Sequence, residues 1–130
     1  MCDYEGEFAS TTRDGITLVW NVARLWDLAQ NLPVSEVPMA SLEPLLDTVC
    51  WFNVGGQDND ENLPTARAVA IHSERIHSAD LSHPLILSAD GEVMDGMHRL
   101  AKAWMLGNET IQVVRFYTDP PPDHTEPFNK

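Results

Sequence analysis

The spacing of apolar residues changes several times along the chain. A short apolar run over residues 16–20 is typical of a β-strand. From Asn21, apolar residues recur at i, i+3, i+4, i+7 and i+10, which predicts an amphipathic helix that is ended by Pro33. This apolar stripe is expected to face the core, and it consists of Val22, Leu25, Trp26, Ala29 and Leu32.

Weaker signals follow this first helix. Residues 34–39 favour a strand, and Pro38 restricts it to a sheet edge because proline has no N–H to donate. Ser41 is placed to cap a short helix that runs through Leu46. Residues 51–63, WFNVGGQDNDENL, are typical of a long loop with a Gly-Gly hinge.

A second helix is predicted over residues 66–78, opened by Pro64 and Thr65. His72 and His77 are five residues apart, a spacing that does not bring two imidazoles onto one helical face. We therefore expect both histidines to be structural. The predicted buried side of this helix consists of Ala66, Val69, Ala70 and Ile76.

The remaining elements follow one another closely. Residues 85–87 are a continuous apolar strand, and residues 89–94 are expected to turn the chain and return it beside that strand. A helix then runs to Leu106 and is stopped at Gly107. Residues 111–116 are predicted to be the final strand.

This order of strands and helices predicts a small single α+β domain, with a mixed sheet and packed helices, over residues 15–117. Residues 1–14 are polar and aperiodic and are expected to be a loose lead-in. Residues 118–130, TDPPPDHTEPFNK, are proline-rich and predict a tail that is either extended on the surface or disordered.

The net charge of −12 argues against a nucleic acid as the main partner, because such binding depends on clustered lysine and arginine. The charge is unevenly distributed. Residues 65–117 hold five of the eight basic residues and six of the twenty acidic ones, so this segment is close to neutral. An anionic ligand is therefore best tolerated there.

Two further features favour a cytoplasmic protein without a membrane span. The N-terminus, MCDYEGEF, is acidic where a secretory signal is basic and then apolar, and no apolar run approaches about 18 residues. Cys2 and Cys50 lack metal-ligand spacing and are expected to be reduced thiols.

The segment 88–104, SADGEVMDGMHRLAKAW, places two Asp-Gly pairs and a His-Arg pair around the start of a predicted helix. If this helix begins at Gly96, one arc can face the core and contains Met97, Leu100, Ala101 and Trp104. The opposite arc contains His98, Arg99 and Lys102.

Two interpretations of this junction remain open on spacing alone. Its helix N-terminus offers N–H groups, Gly96 permits close approach of a ligand, and Arg99 adds a planar donor group, which together make a phosphate cradle. In the plainer interpretation, Asp95 is an N-cap and Gly96 relieves a tight turn, while His98 and Arg99 meet solvent or a nearby acid.

The segment 84–116, PLILSADGEVMDGMHRLAKAWMLGNETIQVVRF, resembles the core of the ParB/sulfiredoxin superfamily. With 34–46 as the family's first strand and loop, the resemblance covers residues 34–117. It implies a fold of the ParB/sulfiredoxin type with a nucleotide-binding junction. ParB-type proteins use G-E-R-R with CTP, sulfiredoxins use G-C-H-R with ATP, and the related free-serine kinases use D-G-H-H-R.

Carried over by position, Gly96, His98 and Arg99 match the sulfiredoxin phosphate-binding residues, and Asp95 matches the leading acid of the kinases. Met97 departs from the sulfiredoxin pattern, and its thioether forms no thiolate, so sulfiredoxin activity is not expected. Met97 can face either the core or a ligand. Two further cations expected to neutralise phosphate charge are Lys102 and Arg67.

The resemblance implies a protein that binds ATP or CTP, and we expect Mg²⁺ to accompany the nucleotide; as an enzyme it would be a nucleotide-dependent phosphotransferase or NTPase. Asp95 is the expected Mg²⁺ contact, and both Asp95 and His98 are candidate catalytic residues. Glu43 and Asp47 are candidate bases by position only.

Three alternatives stay open. The first is a non-catalytic binding or regulatory module that engages a protein partner through Trp51 and Phe52. The second is a metal bound by the acidic run 58–61, although its spacing lacks the glycine and distal glutamate of a calcium loop. The third is a DNA-associated role.

Overall fold

The computed structural model describes residues 2–4, 8–48 and 64–127. This part of the chain forms a small α+β structure with two four-stranded sheets, four α-helices and a 3-10 helix, which confirms the α+β class that the sequence predicted. The strands are β1 Cys2–Tyr4, β2 Phe8–Arg13, β3 Ile16–Asn21, β4 Ser35–Pro38, β5 Leu85–Leu87, β6 Val93–Asp95, β7 Thr110–Arg115 and β8 His124–Pro127. The helices are α1 Val22–Ala29, α2 Met39–Leu42, the 3-10 helix Glu43–Asp47, α3 Ala66–Ser78 and α4 Met97–Met105.

The first sheet has the strand order β1-β2-β3-β8 and is antiparallel throughout. It corrects the prediction that residues 1–14 are a loose lead-in, because β2 pairs with β3 along its whole length. Asp14 and Gly15 connect these strands with φ values of 53° and 76°, the left-handed pair of a two-residue hairpin turn. Ala9 on β2 is fully buried, so this hairpin is part of the core.

The segment after β7 also joins the first sheet. Of the two predicted states for the tail, residues 118–127 adopt the extended one, and β8 pairs with β3. Nε1 of Trp20 donates to the carbonyl oxygen of Pro120 at 2.8 Å, and the backbone N–H of Asn21 donates to Oδ2 of Asp123 at 2.6 Å. The strand predicted over residues 111–116 is confirmed as β7, but it is not the final strand, because β8 follows it.

The second sheet has the order β4-β7-β5-β6 and is mixed. Strands β5 and β7 are parallel, while β4–β7 and β5–β6 are antiparallel pairs. The edge position predicted for the Pro38 strand is confirmed by β4. The predicted reversal between β5 and β6 is also confirmed, with Gly91 at a φ of 87°.

The second sheet is covered on both faces, since alternate residues of its strands belong to different apolar clusters. Ile86 and Val114 pack with α1 and the first sheet, in a cluster that includes Trp20 and Leu25. Neighbouring strand residues point the other way, into a cluster with α2 and α4. The predicted apolar stripe is confirmed on α1, with Val22, Leu25 and Ala29 buried and Trp26 half-buried, but the helix ends at Ala29, before Leu32 and the predicted stop at Pro33.

Helix α3 has the predicted bounds, and Thr65 caps it by accepting from the N–H of Ala68 at 3.1 Å. Its buried side is not the predicted one. Ala68 and His72 are buried, whereas Val69 is 57% exposed. Helix α3 packs against α4 along a narrow strip of residues that includes His72. Apolar residues on the other faces of α3 therefore stay exposed to solvent. Of the other predicted buried residues, Ile76 is half-buried and Ala66 and Ala70 are exposed.

Two smaller points concern α2 and α4. Helix α2 starts at Met39, before the predicted cap, and Ser41 Oγ donates to the carbonyl oxygen of Pro38. The predicted stop of α4 is confirmed: Gly107 has a φ of 76°, and the Asn108 N–H donates to the Ala103 carbonyl at 3.0 Å. No helix within the described ranges has the length and apolar character needed to cross a membrane.

Candidate functional site

The junction between β6 and α4 is built around Gly96. This residue is the N-cap of α4 with φ 117° and ψ 20°, and no side chain makes a capping bond there. A Cβ at this position would lie 2.5 Å from Cδ2 of Leu85 and 2.8 Å from Nη2 of Arg99. Asp95 is the last residue of β6 and not the N-cap, so that part of the plainer interpretation is wrong.

Asp95 is the centre of a buried polar cluster. Its Oδ2 accepts from Nε1 of Trp26 at 2.9 Å and from Nη2 of Arg99 at 3.0 Å, and the residue is 7% exposed. The Arg99 guanidinium also lies 5.4 Å from the centre of the Trp26 ring, within cation–π range. The cluster ties β6 and α4 to α1.

Arg99 meets a nearby acid, Asp95, as the plainer interpretation predicted. Its side chain is only 16% exposed and folds back over Gly96. The Nε donor of Arg99 is buried and has no hydrogen-bond partner among the described residues. A buried donor without an acceptor is uncommon in proteins, and it calls for a ligand or another physical explanation.

His98 forms a pair with a histidine from α3. Nδ1 of His72 lies 2.8 Å from Nε2 of His98, and the two rings are 17° from parallel. Burial lowers the pKa of His98 to about 4, with further lowering from His72, Arg75 and Arg99. Burial, followed by Arg75, lowers the pKa of His72 as well. At neutral pH both rings are therefore neutral, and one donates to the other.

The two remaining predicted cations are Lys102, on α4, and Arg67, on α3. Nζ of Lys102 donates to the carbonyl oxygens of His77 and Ala79 at 2.8 Å each, so Lys102 serves the C-terminal end of α3. Together with the His72–His98 pair, these bonds show that α3 and α4 run in the same direction. Arg67 is exposed on α3, five residues before His72, a spacing that places it on a different face of the helix from the histidine that contacts α4.

A groove of about 410 Å³ lies beside the junction, between the 3-10 helix, α3 and α4. Glu43 and Asp47, the candidate bases, both line it, as do Met97 and Trp104. Met97 is 4% exposed and packs in the core, which is one of the two positions that the sequence left open. Trp104 was predicted to face the core but is 51% exposed, because Ala103 takes the buried position.

Several predicted features lie outside the described residues. They are Cys50, Trp51, Phe52, the loop 51–63 and the acidic run 58–61. Within the described ranges, no group of three or more His, Cys, Asp or Glu side chains is arranged to hold a metal ion. Asp95 as a Mg²⁺ contact stays a prediction.

Comparisons of the chain with protein-family models, with curated proteins and with solved structures give no match. The resemblance to the ParB/sulfiredoxin superfamily therefore rests on the residues of 34–117 quoted above.

Proposed function

We propose that the protein binds the phosphate groups of a nucleotide, ATP or CTP together with Mg²⁺, at the β6–α4 junction. The observation that carries this proposal is the buried Nε of Arg99, which has no acceptor among the described residues. It lies over Gly96, next to a helix N-terminus that no side chain caps. A phosphate oxygen is the kind of acceptor that this arrangement favours.

The available interactions are strong enough for a nucleotide. A favourable helix terminus contributes up to about 2 kcal/mol, and each charge-assisted hydrogen bond about 1.5 to 3 kcal/mol. Arginine has five N–H donors, and the bond to Asp95 uses Nη2, so Arg99 can keep its carboxylate partner while it binds phosphate. Arg67 is not counted among these interactions, because its spacing from His72 places it on a different face of α3.

We further propose phosphoryl transfer to an acceptor alcohol, or NTP hydrolysis. Glu43 and Asp47 are the candidate bases because they share a groove with Met97, the residue that follows Gly96. In the transfer, a carboxylate takes the acceptor's hydroxyl proton, the acceptor oxygen bonds to the terminal phosphorus, and the nucleoside diphosphate leaves. Neutral His98 would act as a hydrogen-bonding group. Sulfiredoxin chemistry is not proposed, since Met97 cannot form a thiolate.

Calorimetric titration with ATP, CTP, GTP and ADP in the presence of Mg²⁺ tests this function. We expect at least one triphosphate to bind and Arg99→Ala to abolish the heat. Arg13→Ala is the matched control, because Arg13 forms its ion pairs with Asp90, Glu92 and Asp119, away from the junction. The absence of heat with every nucleotide would refute the proposal.

A further inference from the structure

The groove beside the junction has a chemical character of its own. Its apolar lining comes from three elements, namely the 3-10 helix, α3 and α4: Leu46, Ile76, Met97, Ala101, Trp104 and Met105. Of these, Trp104 and Met105 are 51% and 59% exposed, so an indole and a thioether are presented to an incoming compound. A volume of about 410 Å³ falls within the usual range for small-molecule sites.

The charges on the groove have one sign. Glu43 and Asp47 both line it, and no lysine or arginine among the described residues does. Neither carboxylate forms an ion pair within the described part of the chain. Of the cations near the groove, Arg99 binds Asp95 and Lys102 binds the C-terminal carbonyls of α3, while Arg75, which precedes Ile76, is not part of the lining.

We infer that this groove binds a small organic cation, namely a compound with an ammonium group attached to an apolar body. The ammonium would pair with Glu43 and Asp47, and its apolar body would lie against Trp104 and Met105. Aromatic faces attract cations, and the indole of tryptophan does so most strongly. The inference rests on the groove and not on nucleotide binding, and it adds a ligand class to the proposed function.

Three matched probes separate charge from apolar contact: 4-phenylbutylammonium, 4-phenylbutanol and 4-phenylbutyrate. Their binding to the full chain is followed by calorimetry and by tryptophan fluorescence, without nucleotide. We expect the ammonium compound to bind most tightly and the carboxylate least. The combined change Glu43→Gln and Asp47→Asn should weaken the ammonium compound about 3- to 10-fold and leave the alcohol unchanged.

Trp104→Ala should weaken both the ammonium compound and the alcohol, by about 10-fold for the ammonium. Matched controls are Glu109→Gln, an exposed carboxylate outside the groove lining, and Tyr117→Ala, an aromatic that is 86% exposed. Both should leave all three affinities unchanged. Because the substituted side chains are exposed or half-exposed, the variants should fold, and circular dichroism checks this.

Several results would overturn the inference. Equal affinity for the three probes would show that the carboxylates do not contribute to binding. An unchanged affinity for the ammonium compound in the variant with both Glu43→Gln and Asp47→Asn would show the same. No binding of any probe would refute the site itself. A concentration-dependent dimer that Trp104→Ala abolishes would assign the groove to a second copy of the chain. None of these results depends on whether ATP binds at the junction, so failure of this inference leaves the proposed nucleotide binding intact.

Discussion

His72 and His98 join α3 to α4 through a hydrogen bond of 2.8 Å between their ring nitrogens. Each helix also contributes a guanidinium, Arg75 or Arg99, that disfavours a positive charge on the pair. Together with burial, these neighbours lower the pKa of both histidines below 6.5. The pair is therefore a neutral contact between two helices, and it is sensitive to protonation.

This contact should make the stability of the protein fall in mild acid. The folded state binds the proton of His98 only near pH 4, whereas the unfolded chain binds it near 6.5. The unfolded state thus holds more protons between these values, so the free energy of unfolding decreases as the pH falls through this window. Urea unfolding at pH 7.5, 6 and 5 measures the effect.

Two variants identify the source of this pH dependence. His98→Gln should flatten the profile between pH 6.5 and 4, while His77→Gln, on an exposed residue of α3, should not. The lowered pKa values of the Asp80 and Asp123 carboxyls act in the same direction but at lower pH: their stabilisation is present above about 3.8 and is lost as the pH falls below it. An unchanged slope in His98→Gln would refute the assignment.

Asp95 should be among the most sensitive positions for stability. Asp95→Ala leaves the mostly buried guanidinium of Arg99 without its carboxylate and Trp26 Nε1 without its acceptor. Loss of one partner of a buried ion pair costs about 3 to 5 kcal/mol. Denaturant unfolding should show a loss of this size, whereas Asp90→Asn, at an exposed ion pair with Arg13, should cost less than about 1 kcal/mol.

Gly96 and Gly107 provide a matched pair for alanine substitution. Both have positive φ values, 117° and 76°, but only at Gly96 would a Cβ meet neighbouring atoms. Gly107→Ala should cost about 1 to 2 kcal/mol from backbone conformation alone. Gly96→Ala adds a clash with Leu85 and should cost about 2 to 4 kcal/mol. Equal losses in the two variants would show that Leu85 moves aside at little cost.

Much of the fold follows from local signals. The stripe of α1, the cap at Thr65 and the stop at Gly107 act within a few residues, and periodicity with capping chemistry predicted them. The hairpin of β2 and β3 was also within reach, because Asp14-Gly15 is a strong turn signal between two β-prone segments. Strand β8 is different, because all of its residues are exposed and no pattern of apolar residues predicts it.

The candidate site shows where such reasoning stops. The junction itself is contiguous and could be recognised, yet its contacts join distant positions. Asp95 meets Trp26 across 69 residues, and His72 meets His98 across 26. Which face of α3 is buried depends on the helix that packs against it, and the exposed Val69 and buried His72 contradict a purely apolar criterion.

The role of Arg99 in phosphate binding can be separated from its role in stability by a conservative change. Arg99→Lys keeps a positive charge for Asp95 but removes Nε and the planar donor group, so nucleotide affinity should fall about 10-fold or more while most of the ion pair is retained. Calorimetry with ATP or CTP and Mg²⁺ gives the affinity, and urea unfolding gives the stability. Arg24→Lys, at an ion pair with Asp123 remote from the junction, is the control. If Arg99→Lys binds nucleotide as tightly as the unaltered protein, the buried Nε is not a phosphate ligand and the proposed function loses its main support.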